Sequence, residues 1–188
     1  VEKATAGFEA WDYTRSLEVT ETFFWTFCDD YLELVKDRAY GGQGEAEAAS
    51  ARAALRLALE TLLRLLAPFL PYVTEEVWSW WHDGSVHRAA WPLAAEVATT
   101  EPGDPALLAA VGEALAGVRK AKSEAKVGMR AEVARIELAG PAAWAERVRA
   151  VEADLRAAGR ITGTLDYAEA ETLEVRGAEL IPVAKPKA

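Results

Sequence analysis

Cysteine occurs once in this 188-residue chain, methionine once and histidine twice. A lone Cys28 excludes an internal disulfide framework, and one cysteine with two histidines cannot complete a four-ligand zinc site. No apolar run approaches the ~20 residues that span a bilayer, and no signal-peptide pattern opens the chain. These absences point to a cytoplasmic protein without membrane attachment. Catalytic signatures are missing too: there is no Gly-x-Ser-x-Gly elbow, His-Glu-x-x-His helix or Walker loop. The adjacent carboxylates Asp29-Asp30 and Glu75-Glu76 point about 100° apart on a helix, so neither pair converges on one atom. His82 and His87 flank a turn without a partner nucleophile, and Cys28 reads as a buried, inert thiol. An initiator methionine is absent at Val1, so the expectation is a fragment of a longer protein. A basic excess is absent as well, since 21 Lys and Arg face 30 Asp and Glu for a net charge of −9. That excludes a non-specific nucleic-acid coat, but not one local patch that reads RNA.

Helical periodicity dominates the first hundred residues. A short helix is expected from Glu2 to Trp11 and a long one from Arg15 to Tyr40. Leu17, Phe24, Cys28, Tyr31 and Val35 recur on one helical face, which Phe23, Phe27 and Leu34 widen. Gly41-Gly42-Gln43-Gly44 ends it. A third helix, Glu45 to Ala67, carries Leu55, Leu59, Leu62 and Leu66 in a bundle-like seam. Pro68 and Pro71 break it and start an aromatic fourth helix, Pro71 to His82, with Tyr72, Trp78, Trp80 and Trp81. A linker follows from Asp83 to Asp104, with one short extended piece at Ser85 to Pro92.

The character then changes. Asp104 caps a helix with Leu108, Val111, Leu115 and Val118 on its inner face. Glu132 to Leu138 alternates as a strand, and a helix from Pro141 to Gly159 places Trp144, Val148, Val151 and Leu155 inward. Ile161 to Tyr167 and Thr172 to Arg176 read as a strand pair. The fold class is therefore mostly α: a helical bundle (residues 1–98), then a small α/β subdomain ordered α-β-α-β-β (residues 104–178), with a flexible tail (residues 179–188).

Two clusters carry possible chemistry. Arg119, Lys120, Lys122, Lys126, Arg130 and Arg135 crowd into seventeen residues against only Glu124 and Glu132. Spacings of three and four put Arg119, Lys122 and Lys126 on one face, as a track for RNA phosphates would require. The bland alternative is a solvated lysine face. The second cluster is aromatic: Phe23, Phe24, Trp25, Phe27 and Tyr31. Trp25 lies at the edge of the polar stripe, where an exposed indole stacks an unpaired base and a covered one merely packs.

The run FFWTFCDDYLELVKDRAY resembles the long helix of the anticodon-binding bundle in the valyl branch of the class I aminoacyl-tRNA synthetases. ALETLLRLLAPFLPYVTEEVWSWW resembles the helix pair that follows, and Ala89 to Pro92 the Trp-Pro beyond it. AVGEALAGVRKAKSEAKVGMRAEV resembles the entry to that family's small α/β subdomain. The likeness covers nearly the whole chain, to about Val175. The proline-rich passage is shared with the isoleucyl, leucyl and methionyl branches, which stay open as alternatives.

The resemblance implies a non-catalytic, tRNA-binding region of an enzyme that joins valine to tRNA(Val) using ATP. The His-Ile-Gly-His and Lys-Met-Ser-Lys-Ser signatures are absent, so no cofactor is expected in this fragment. ATP with magnesium, and valine, would sit in the missing catalytic domain. Expected partners are the tRNA(Val) anticodon arm and the remainder of the synthetase chain, with a monomeric assembly and no membrane. Base-contact candidates are Trp25, Tyr31, Lys36 and Arg38; phosphate-contact candidates are Arg119, Lys122, Lys126 and Arg130. The run from Leu180 to Lys187 cannot continue as the family's usual coiled-coil arm. The rival reading is a helical protein–protein docking module that uses the Trp-rich fourth helix.

Overall fold

A computed structural model of the chain describes residues 1–99 and 103–182. Eight α-helices precede or interleave a three-stranded sheet: α1 (Glu2–Glu9), α2 (Tyr13–Thr26), α3 (Leu32–Ala39), α4 (Glu45–Leu66), α5 (Pro71–Trp78), α6 (Leu107–Glu124), α7 (Ala142–Ala150) and α8 (Glu152–Gly159). The strands are β1 (Glu132–Gly140), β2 (Ile161–Glu169) and β3 (Glu174–Ile181). Two compact units divide the chain: Val1–Leu32 with Ala49–Pro102, and Glu33–Ala48 with Gly103–Ala188. The tip of the helical hairpin therefore belongs with the α/β part, a grouping that the sequence does not reveal.

In the first unit, α1 crosses α2 so closely that a Cβ on Gly7 would press on the Ser16 backbone nitrogen. The buried Ser16 Oγ donates to Ala4 O at 3.0 Å, satisfying a hydroxyl that water cannot reach. Asp12 caps α2 through its side chain, which accepts from the Arg15 N–H. Phe8 packs edge-on to Trp91, whose indole nitrogen donates to Thr5 Oγ1 at 2.9 Å. A separate small core joins Leu63, Ala67, Trp78 and Val86. Ser85–Pro92 is not extended throughout as expected; Val86–Arg88 forms a 3₁₀ turn, tied down by the Glu75 carboxylate, which accepts from Ser85 Oγ and Val86 N–H.

The long helix expected from Arg15 to Tyr40 is present but carries a π-helical turn at Phe27–Tyr31 between α2 and α3. A π turn inserts a residue and shifts the helical phase. The expected buried stripe is buried only at its end: Leu17, Phe24, Cys28 and Tyr31 are half-buried, while Val35, beyond the turn, is buried. Cys28 is half-buried, and partial burial with the nearby Asp29 charge raises its thiol pKa.

The second unit is a two-layer α/β fold. β1 is central in the order β2-β1-β3, parallel to β2 and antiparallel to β3. Its register slips between Val133 and Arg135, opposite Gly163, where a Cβ would overlap the Ala134 carbonyl. α6 packs on α7, α8 and β3. The core collects Val111, Leu115 and Val118 of α6 with Ile136, Leu138, Val148 and Leu155. Three expectations change here. Ile161 to Tyr167 and Thr172 to Arg176, expected as a strand pair, do not pair with each other, because β2 and β3 flank β1 on opposite edges. The helix from Pro141 to Gly159 breaks at Val151 (φ −127°, ψ 28°) into α7 and α8. Residues 179–181, assigned to the tail, complete β3, where Ile181 pairs with Glu132. Residues 183–188 of that tail lie outside the described residues.

Candidate nucleic-acid interface

The basic corner forms where α6 stops. The Lys126 N–H donates to Ser123 O and the Val127 N–H to Lys122 O, with Lys126 left-handed at φ 55°. This pairing is a Schellman ending, usually built on glycine, and it turns the chain sharply out of the helix. The Ala131 N–H then donates to Gly128 O at 2.9 Å, closing a turn that leads into β1. Lys126 and Arg130 are exposed on this turn, and Arg119 is half-buried on the last full turns of α6. None of the three has an ion-pair partner among the described residues. Their neighbours are more committed: Lys120 faces Glu124, Arg135 binds Asp166, and Arg160 faces Glu132. Unpaired, solvated cations are the ones available to phosphate oxygens.

Lys122 corrects the spacing-based track. It is 2% exposed, and its ammonium donates to Gly159 O at 2.8 Å and Met129 O at 3.2 Å. Periodicity placed it on the face of Arg119 and Lys126. However, the helix ends at Glu124, so Lys126 is not in helical register with it. Burial lowers the Lys122 pKa most, and the Arg160 and Arg119 charges lower it further. Sequence reading also passed over Arg160. It sits immediately after Gly159 in the left-handed conformation, φ 53°, and adds charge to the same corner. A helix-stopping glycine followed by arginine was the available signal.

The hairpin tip holds the remaining cationic candidates. Lys36 is exposed and pairs with Glu33 at 3.3 Å. Arg38 behaves differently from its assignment as a base contact. Its Nη2 binds Asp154 Oδ2 at 3.0 Å, and Gln43 Nε2 donates to the other oxygen of the same buried carboxylate at 2.8 Å. Asp154 thus gathers α3 and the loop after it onto α8, and the Arg38 guanidinium is engaged in that joint. A buried acidic partner 116 positions downstream leaves no mark on local sequence pattern.

The aromatic candidates lie in the first unit. Trp25 is 53% exposed, with its indole nitrogen 3.4 Å from Glu21 Oε1 and its ring edge-on to Phe24. Trp25 is therefore not covered by the first helix. Tyr31 is half-buried and stacks on Phe27 at 5.2 Å across the π turn. Beside them, a groove of about 1110 Å³ runs between α1, α2 and α4, lined by Val19, Phe23, Leu57, Thr61 and Leu65 among others. Leu59, counted in the expected bundle seam, is exposed with Leu57. The aromatic helix expected from Pro71 to His82 ends at Trp78, so Tyr72 is exposed on α5 while Trp80 and Trp81 are exposed on the turn that follows.

No group of three or more metal-ligating side chains converges among the described residues, and no helix of the described residues is long and apolar enough to cross a membrane. A family model described as the anticodon-binding domain of tRNA ligase matches residues 1–138. The valine–tRNA ligase of Thermobifida fusca (strain YX) is 58% identical over 187 residues, covering 98% of this chain and 21% of that protein. The same-named ligase of Salinispora tropica is 52% identical over 187 residues, covering 92% and 22%. That of Bifidobacterium longum subsp. infantis is 44% identical over 211 residues, covering 100% and 23%. The chain spans about a fifth of the length of the curated relatives it matches.

Proposed function

The chain belongs to the anticodon-binding domain family of tRNA ligases, and from that premise we propose that it binds the anticodon arm of tRNA(Val) for a valine–tRNA ligase. In this reading the chain performs no chemistry. ATP with magnesium, and valine, are bound by the catalytic part of the larger enzyme, which works in the cytoplasm as a monomer. The chain's task is to hold one end of the tRNA so that the acceptor end meets the distant site in register.

One observation carries the reading on this chain's own residues: Arg119, Lys126 and Arg130 have no ion-pair partner among the described residues, at one corner of a protein of net charge −9. In an acidic chain such a corner focuses the field where a phosphate backbone can lie, while the remaining surface repels it. Trp25 and Tyr31 supply rings for unpaired bases, worth about 1–3 kcal/mol per stacked base, and Lys36 supplies a donor to base edges. Arg38 and Lys122 drop out as direct contacts, because the Arg38 guanidinium is held by Asp154 and the Lys122 ammonium is buried against Gly159 O and Met129 O.

A direct test is filter binding of unmodified tRNA transcripts that differ only in the anticodon. Discrimination of at least tenfold in favour of a valine anticodon supports anticodon reading; equal binding of all transcripts overturns it. The docking-module reading draws on the exposed Tyr72, Trp80 and Trp81. It predicts that Trp80→Ala abolishes association with the remainder of the enzyme and leaves tRNA binding untouched. An isoleucine, leucine or methionine parent would shift the preferred anticodon accordingly.

A further inference from the structure

We infer that Lys122 is a positioning residue for RNA recognition: its buried ammonium pins the 126–131 turn to the end of α8 and so aims Lys126 and Arg130 at phosphates. The inference rests on the tRNA-binding reading above. Lys122 grips the turn at two points. Its carbonyl accepts the Val127 N–H at 3.1 Å, and its side chain donates to Met129 O at 3.2 Å. The second bond fixes the peptide plane that joins Met129 to Arg130. A third contact, to Gly159 O at 2.8 Å, anchors the arrangement on the last carbonyls of α8, where a cation is favoured.

Packing alone does not account for a lysine here. No carboxylate pairs with it among the described residues, and Arg119 and Arg160 oppose its charge. A methionine of similar length would fill the same space without desolvating an ammonium. What the ammonium supplies, and methionine cannot, is two donors on two separated segments. Those donors hold the turn that carries Lys126 and Arg130 and abuts Arg160. The left-handed Lys126 makes this restraint consequential, because such a residue favours other conformations when released.

The test uses the 188-residue chain and an unmodified tRNA(Val) transcript. Lys122→Met and Lys122→Gln are compared with Arg130→Ala by amide hydrogen exchange and by RNA binding at fixed low salt. For Lys122→Met, exchange at Val127 and Ala131 is expected to speed up about tenfold or more as the clamp is lost. RNA binding should weaken by a similar factor although no exposed charge has changed. Lys122→Gln keeps an uncharged N–H donor group on a shorter side chain and should fall between; it also carries the test if the methionine variant does not fold. Arg130→Ala should weaken binding with exchange unaltered. If Arg130→Ala weakens binding while both folded Lys122 variants bind RNA as the unaltered chain does, Lys122 is a packing residue and the inference fails alone. If Arg130→Ala is also silent, the RNA-binding reading of the corner fails with it.

Discussion

The two units satisfy their side chains to different degrees. In the α/β unit, Leu115, Ile136, Leu138, Val148 and Leu155 are each 0–1% exposed in a single core. Even its one deeply buried lysine has two acceptors. In the helical unit the separate core is small, while Phe23, Trp25, Leu57 and Leu59 are exposed along the helices. A protein surface carries scattered apolar residues normally, but Phe23 and Leu57 line one groove between α1, α2 and α4, and an exposed apolar patch of that kind is one a ligand can cover. The difference separates two kinds of residue. Substitutions in the α/β core should register as lost stability. Substitutions at the exposed aromatics should register as lost binding with little cost to the fold.

The largest effect expected from this contrast is on stability. Leu155→Ala should cost about 2–5 kcal/mol, since it opens a cavity in a closed core. Leu59→Ala, exposed on α4, should cost under about 1 kcal/mol. Urea denaturation of the two variants measures both, and comparable losses would erase the distinction. Next comes Gly163→Ala, which drives a methyl into the Ala134 carbonyl at the β1–β2 irregularity. Overpacking of this kind costs about 1–3 kcal/mol, and a thermal melt indistinguishable from the unaltered chain would contradict the close approach.

A pH-dependent effect should follow in the same unit. Tyr167 donates to Glu152 Oε2 at 3.0 Å, and burial, together with that carboxylate, raises its pKa above the ordinary tyrosine value. A raised folded-state value means that the unfolded chain loses this proton first. The contribution is therefore intact below about pH 10 and is lost progressively as pH climbs past it. Tyr167→Phe should remove that alkaline loss, and an identical pH profile in the variant would rule the tyrosine out.

The smallest stability effect expected is a gain. Lys126→Gly keeps the Schellman ending and relieves a left-handed non-glycine residue, adding up to about 1 kcal/mol. RNA binding should nevertheless weaken, which separates charge from folding at the corner itself.

The helices were legible because their apolar spacing repeats over many residues: α4 runs Glu45–Leu66 against an expected Glu45 to Ala67. The elements follow the expected α-β-α-β-β order, but the pairing differs: β2 and β3 each pair with β1 and not with each other. Three features were not legible, each for a physical reason. The π turn at Phe27–Tyr31 preserves local helical composition while shifting phase, so the stripe from Leu17 to Val35 looked continuous. The break at Val151 separates two helices whose apolar residues still keep four-three-four spacing. Lys122 and Arg38 read as surface cations because their acceptors, Gly159 O and Asp154, lie 37 and 116 positions away. Arg119, Lys126 and Arg130 were legible as a cluster, although the helical face that first grouped them does not extend to Lys126.

The central claim is that an unpaired cationic corner on an acidic chain meets RNA phosphates. Its most direct test is the salt dependence of tRNA(Val) transcript binding between about 50 and 200 mM, for the unaltered chain and for the variant with Arg119, Lys126 and Arg130 all changed to alanine. Each lost phosphate contact should reduce the steepness of log affinity against log salt by about 0.7–0.9, a change of roughly two to three for the triple variant. Parallel lines for the two proteins would contradict the claim.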